Sequence, residues 1–460
     1  MKKILLIIMA VLLIVSFSMI GVGCKKGEPV ETTVSTGTTA AGETTKAVET
    51  TAAEEAPAEK ITLTYWNQWG APYQREVTIA QIKGFEAENP NIKIEERILP
   101  NATAEELMRV AMSSSEPPDV FGEENPYDLF HWARLGLVGD LTEFYTSNIE
   151  RFPEGAKNWE FADGKYWAIP QTICDVPFIL YNKDILSKYN IDASNIKTFD
   201  DFFAASDILK ANGIVPIALA NKIGVHGVHW FAMFLSKIVS IDDINGVFFR
   251  TEKDQTPKWT DPGFVKAAKL LKRLHDDGYI QPGGEMLEDK AETAAFATGK
   301  AAFREGNSYF LLTQPPEELN WGYFPIPNMP GEPGSEQLQI INTYLGGYAY
   351  SKESKHPEAA LKFIEFLSRP EQSRLWYTKG KLLPGINGAI DLSEITEPYL
   401  RDCLKASQET KGHVPFLELW INPEAGAGAM DQGSTAVMLG QITVEKWLQN
   451  IEDAQQLVLK

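Results

Sequence analysis

Four consecutive residues, Trp66, Asn67, Gln68 and Trp69, set two flat aromatic rings on either side of two amides. Aromatic faces cover apolar C–H surface, and amides make paired hydrogen bonds, so the quartet is equipped to hold a small polar ligand. The same chemistry recurs in smaller doses at Glu123 and Asn125, Asp175, His229 with Trp230, Arg304 with Asn307, and Trp420. Each position has a competing structural reading. A tryptophan packs a core more often than it faces a ligand, and an isolated carboxylate is ordinarily a solvated surface charge. His226 and His229 have a spacing that a metal could use on a helix, but no further ligand cluster accompanies them in sequence, so no metal is expected. His275 falls on an apolar helical stripe and reads as a core or boundary histidine.

The elements that must position these residues follow from periodicity and punctuation. A strand over 61–66, a helix over 74–89 and a strand over 92–98 make a βαβ unit, followed by a helix over 104–113 and a buried strand ending at Gly122. Such alternation predicts an α/β fold with a largely parallel sheet, in which ligands bind beyond the carboxyl ends of strands. Residues 66–70 and 122–125 are at such ends. Next come two short extended runs, 165–169 and 178–181, abutted by Pro170 and Pro177, with a polar passage over 171–176 between them. Proline belongs where a strand begins or ends, so this is a chain leaving one sheet and entering another. It is a hinge candidate, implying two lobes and a cleft. A second α/β set follows: a helix opened by Thr198 with Asp201 in a capping box, a strand over 214–220, a helix opened by Pro262, a helix over 291–298 and a strand over 299–304. An extended run over 344–350, an amphipathic helix from Pro357 and a helical tail over 431–460 complete it. No internal repeat or heptad array is present.

Composition sets further bounds. At 460 residues the chain is expected to divide into domains, and its 44% hydrophobic content supplies ample core. Its net charge of −19 argues against nucleic acid or an anionic lipid surface as partner. Met1, Lys2 and Lys3 precede an apolar run over 4–20, and Gly21, Val22 and Gly23 precede Cys24, the layout of a secretory signal over 1–23 ending in a lipobox with Cys24 as the lipidated residue. Gly21 departs from the larger aliphatic usual at its position. Residues 24–60 carry no aromatic side chain and read as a disordered Thr/Glu/Ala-rich tether. The remaining cysteines, Cys174 and Cys403, are read as buried free thiols.

Several segments taken together carry a resemblance. They are the run Phe85-Glu86-Ala87-Glu88-Asn89-Pro90-Asn91-Ile92, then Pro118-Asp119-Val120, then Leu135-Gly136-Leu137-Val138-Gly139-Asp140-Leu141. Asp163-Gly164-Lys165-Tyr166-Trp167-Ala168-Ile169-Pro170 follows, with Tyr181-Asn182-Lys183-Asp184. Phe296-Ala297-Thr298-Gly299-Lys300-Ala301-Ala302-Phe303, Gly346-Gly347-Tyr348-Ala349-Tyr350-Ser351-Lys352 and His356-Pro357-Glu358-Ala359-Ala360 complete the set. In order and spacing, these resemble the sugar-binding family of extracellular solute-binding proteins of ABC importers, the maltose-binding-protein-like group. The resemblance implies a two-lobed periplasmic-binding-protein-like (type II) α/β fold with a hinge. Carried over, the N-terminal lobe takes 61–172 with 294–345, the C-terminal lobe takes 173–293 with 346–460, and the second and third crossings fall near Lys290 and Gly346-Gly347. It also implies a lipid-anchored, extracytoplasmic, monomeric protein that captures a sugar, an oligosaccharide by expectation, closes over it and hands it to membrane permease subunits. No catalysis and no cofactor are implied, and no GxxxxGK motif followed by Ser or Thr is present to bind nucleotide. The rival readings are a surface-anchored glycoside hydrolase, with paired carboxylates, and a binding protein for a non-sugar solute such as a polyol phosphate.

Overall fold

The structure, a computed structural model, describes residues 59–458 apart from 101–102, 124, 154–155, 157–160, 249, 251–254, 314–317, 336–338, 410–411 and 423. The expected signal, Cys24 and the tether to residue 58 lie outside these. Among the described residues no helix is long and apolar enough to cross a membrane.

Two sheets organise the described chain. The first has the spatial order Leu383–Pro384, Ile169–Val176, Gln339–Tyr350, Val120–Glu123, Ile61–Asn67, Ile92–Ile98, with Gly412–Val414 alongside the start of Gln339–Tyr350. Its first three strands in sequence are parallel, as βαβ connections require, and Gln339–Tyr350 returns antiparallel to Val120–Glu123 and Ile169–Val176 while Gly412–Val414 pairs parallel to it. The second sheet has the order Trp321–Pro325, Phe178–Asn182, Ala301–Gly306, Val215–Ile217.

Helices form where the punctuation allows. Pro72 starts Pro72–Glu88, whose Gln74 side chain accepts the Ala71 N–H. Thr198 and Asp201 close the expected capping box on Phe199–Ala211. That helix sends Phe199, Phe202 and Phe203 into the core beside the second sheet, where Phe202 meets Trp230 at 5.9 Å and Phe199 meets Phe234 at 4.8 Å. Against the first sheet, Phe363 of helix Pro357–Leu367 packs on Tyr65 at 5.5 Å and Phe85 at 4.8 Å.

The expected passage between sheets is present, with a difference. Residues 171–176 are not a loop: they complete strand Ile169–Val176, which pairs with Gln339–Tyr350 from Ile169↔Tyr348 to Val176↔Ile341. Polar side chains are tolerated there because the backbone groups are all taken up in a ladder. After Pro177 the chain enters the second sheet as Phe178–Asn182.

The expected lobe boundaries need correction. Ala301–Gly306 and Trp321–Pro325 hydrogen-bond to Phe178–Asn182, so 294–345 lies largely with the second sheet rather than the first. Conversely, Gly347–Tyr350 pairs with Val120–Glu123, and helices Pro357–Leu367 and Pro370–Thr378 pack with the first sheet's elements. Lys290 sits inside helix Asp289–Ala297, not at a crossing. The passages are at Pro177, along Gln339–Tyr350, and between Pro384 and Gly412, where Tyr399 packs on Phe178, Trp321 and Tyr323 of the second sheet.

Within the crossing strand, Gly346 has φ +77°, and a Cβ there would sit 2.3 Å from Gln171 Oε1 and 3.2 Å from Trp69. Left-handed backbone strain and the buried clash add for any larger residue. Gly346→Ala should lower stability by about 1–3 kcal/mol, read as a fall in the urea midpoint; an unchanged midpoint would refute the fit.

Candidate ligand cleft

The carboxyl ends of Ile61–Asn67 and Val120–Glu123 face the crossing ribbon. Buried Asn67 turns the chain there: its Oδ1 accepts the Trp69 N–H at 2.9 Å and its Nδ2 donates to Glu96 at 2.9 Å. The turn brings Trp69 onto Trp376, with ring centroids 5.0 Å apart, and its indole edge next to Gly122 and Gly346. Asn67, Gln68, Gly122 and Glu123 line a small cavity with Glu105 and Met108. Glu123 accepts the Asn125 N–H at 2.8 Å, and Asn125 Oδ1 caps helix Pro126–Arg134 by accepting the Tyr127 N–H at 3.0 Å. Gln171, fully buried on the ribbon, places its carboxamide against Gly122 and Gly346.

The second lobe answers with the end of Ala301–Gly306. Asn307 Oδ1 accepts from the Cys174 thiol at 3.2 Å and from the Tyr309 N–H at 2.8 Å. Glu305, buried, presents Oε1 to His226 Nδ1 at 3.0 Å and His229 Nδ1 at 3.2 Å. His229 Nε2 lies 3.3 Å from Glu418, and its ring stacks on Phe416 at 4.5 Å. Burial alone would depress His229, but Glu305 and Glu418 outweigh it and hold the imidazole up to about 10. Burial pushes Asp431 up, assisted by the charges of Glu418 and Glu105, to about 8. Glu105 belongs to the first-lobe helix Ala104–Met112, so this field reaches across the cleft.

Three contacts bring the lobes together over this space. Asn422 Nδ2 donates to the Tyr127 hydroxyl at 3.2 Å, Trp420 meets Phe130 edge-on at 6.1 Å, and the Tyr73 and Tyr309 hydroxyls are 3.4 Å apart.

Of the residues singled out in sequence, Asn67, Gln68 and Glu123 line the small cavity, Trp69 and Asn125 adjoin them in the chain, and His229, Asn307 and Trp420 lie on the second-lobe side. Three of the others have partners away from the cleft. Strand alternation turns Trp66 away from Asn67, and Arg97 stacks on its ring at 4.1 Å. Trp230 follows His229 around the helix by about 100° and is wholly enclosed in the second-lobe core. Arg304 alternates away from Glu305 and pairs with buried Glu292 at 2.8 Å. Asp175 lies on the crossing strand, opposite Asn342; its side chain is outside the described part. Sequence reasoning missed Tyr73, Gln171, Glu305, Tyr309, Glu418 and Asn422 as site residues. Glu305 and Tyr309 flank Asn307 at a strand end, a signal that could have found them; Tyr73, Glu418 and Asn422 arrive by tertiary packing, without a local signature. Cys174 and Cys403 are both buried, and no disulfide joins them.

Comparison with known proteins adds to this geometry. The sequence pattern of the family described as bacterial extracellular solute-binding protein matches residues 36–374. An uncharacterized ABC transporter extracellular-binding protein of Pyrococcus horikoshii is 26% identical over 363 residues, 77% of this chain and 78% of that protein. A multiple sugar-binding protein of Streptococcus mutans is 24% identical, over 69% of this chain and 74% of its own length. Among solved structures, a chitin oligosaccharide binding protein superposes with a TM-score of 0.72 at 23% identity, covering 87% of this chain and 99% of that one. That likeness shows the same fold.

Asp431 generates a pH prediction. Its carboxyl moves from 3.8 in an unfolded chain to about 8, so between these values the folded state holds a proton that the unfolded chain has lost. Stability therefore falls as pH climbs from about 4 to about 8 and levels off above. Asp431→Asn should remove that slope, raising the thermal midpoint most at pH 8 and little near pH 4; an offset independent of pH would count against it.

Proposed function

The chain belongs to the bacterial extracellular solute-binding protein family, and from that premise we propose that it captures a sugar, an oligosaccharide in particular, and delivers it to an ABC importer. The observation that carries this reading is the meeting of Trp69 and Tyr309 with buried amides and carboxylates where strands of both sheets end on the crossing ribbon. Aromatic faces suit the C–H face of a pyranose, and Asn67, Gln68, Glu123, Asn307 and Gln171 suit its hydroxyls. The Streptococcus mutans relative and the chitin oligosaccharide binding protein carry sugar ligands in their names, which supports the same class here.

Action follows from the two lobes. Ligand bound against the first lobe gains further contacts when Glu418, Trp420 and Asn422 swing over it, so it favours the closed arrangement by its differential affinity. The ribbon serves as hinge, and the closed form docks on the permease. The protein binds without cleaving; it is monomeric and held outside the cytoplasm by lipidated Cys24 and its tether.

The test is a panel of mono- and oligosaccharides followed by tryptophan fluorescence and calorimetry. Saturable one-to-one binding with no new reducing ends is the expected outcome, whereas released reducing sugar, or stabilisation by anionic solutes alone, would overturn it. Within that panel, Tyr309→Ala and Trp69→Ala should each weaken binding about tenfold or more, equivalent to ~1.4 kcal/mol, while Trp66→Phe should leave affinity within about twofold, a change of only ~0.4 kcal/mol.

A further inference from the structure

The second lobe carries a cluster that sugar recognition does not require. We propose that His226, His229 and Glu305 form a binding site for one divalent transition-metal ion of the zinc class, ligated by the two Nδ1 atoms and the Glu305 carboxylate. The inference stands apart from the ligand reading above, because its readout is metal binding by the sugar-free protein.

Three observations carry it. The first is convergence. His226 and His229 lie three apart at the start of helix Val225–Ile238 and so share a face, and Glu305 comes from the strand opposite. Both Nδ1 atoms address the same carboxylate oxygen, at 3.0 and 3.2 Å, and one donor from each residue falls within 4.8 Å of the others. Bonds of about 2.0–2.2 Å in a tetrahedral site separate donors by about 3.4 Å, close to the two carboxylate–imidazole separations of 3.0 and 3.2 Å here.

The second is the surrounding shell. Metal-bound histidines hand their other ring nitrogen to an acceptor that fixes tautomer and orientation. Here His229 Nε2 faces Glu418 at 3.3 Å and His226 Nε2 faces Asp289 at 3.5 Å. Glu292 also stands 3.5 Å from His226 Nδ1 while pairing with Arg304. The four carboxylates of Glu292, Glu305, Glu418 and Asp289 outnumber that guanidinium, a surplus that two imidazolium protons offset in the ion-free state and that one doubly charged cation on neutral imidazoles would offset equally.

The third is an orphaned atom. Glu305 is buried, and its Oε2 has no hydrogen-bond partner among the described residues. Leaving a carboxylate oxygen so enclosed is costly, and a coordinated ion removes the deficit. Two imidazoles and one carboxylate suit zinc-class ions, whereas Ca2+ and Mg2+ prefer oxygen donors. Three protein ligands leave one tetrahedral position for water or a ligand oxygen.

The experiment uses the full chain after chelator treatment, titrated with Co2+ and Zn2+. One equivalent of Co2+ should bind with the visible absorption of a low-coordinate ion, Zn2+ should displace it, and Zn2+ but not Mg2+ should raise the thermal midpoint. Glu305→Gln should weaken binding about 100-fold or more, and Glu418→Gln, which touches only the outer shell, by about 10- to 100-fold. The Glu418 variant keeps the ligands and serves as the test if the Glu305 variant does not fold. Absence of a stoichiometric Co2+ signal in the wild type overturns the proposal. So does wild-type affinity in either folded variant, because the ion would then sit elsewhere.

Discussion

The backbone ladder between Ile169–Val176 and Gln339–Tyr350 is the constraint on which the rest of the molecule depends. A paired ribbon resists stretching, since each residue contributes a fixed rise of about 3.3 Å, yet it twists at little cost. One end of Gln339–Tyr350 hydrogen-bonds to Val120–Glu123 of the first lobe, and the other pairs with Gly412–Val414. The ribbon is thereby shared between the two lobes.

Burial of charge is the second organising fact. The group formed by Arg304, Glu292, Glu305, His226, His229 and Glu418 is enclosed at the second-lobe face of the cleft. Removing so many ionisable groups from water is expensive, and pairing offsets the cost only where geometry is good. The arrangement is more exacting than an apolar core of equal volume. Around it, the aromatic core of Phe199, Phe202, Trp230 and Phe234 supplies rigidity without asking for any polar complement.

Much of this was legible in the sequence because it is local. The βαβ opening, the capping box at Thr198, the prolines that start Pro262–Asp276 and Pro357–Leu367, and the passage at Pro177 are written in a few adjacent residues each. Strand ends gave Asn67, Gln68, Trp69, Glu123 and Asn307, because position along a strand is a local property. What failed was rotation and long-range pairing. Trp230 differs from His229 by one step around a helix, enough to exchange cleft for core. The second-sheet membership of Ala301–Gly306 depends on Phe178–Asn182, more than a hundred residues earlier, and no periodicity reveals such a partner.

The passages between lobes bear on how the molecule is made. Neither lobe is a continuous piece of chain: strands at 61–67, 92–98 and 120–123 wait for 347–350 to complete their sheet, and the second sheet is assembled in the interval. During synthesis, then, the first half of the polypeptide emerges with an unpaired strand edge on Val120–Glu123 and an apolar helix-binding face on Tyr65 and Phe85 that Phe363 has yet to cover. Contacts of such sequence separation slow folding and leave sticky intermediates exposed. The first sheet is thus begun early in the chain and completed only by Gln339–Tyr350, which covers the edge of Val120–Glu123.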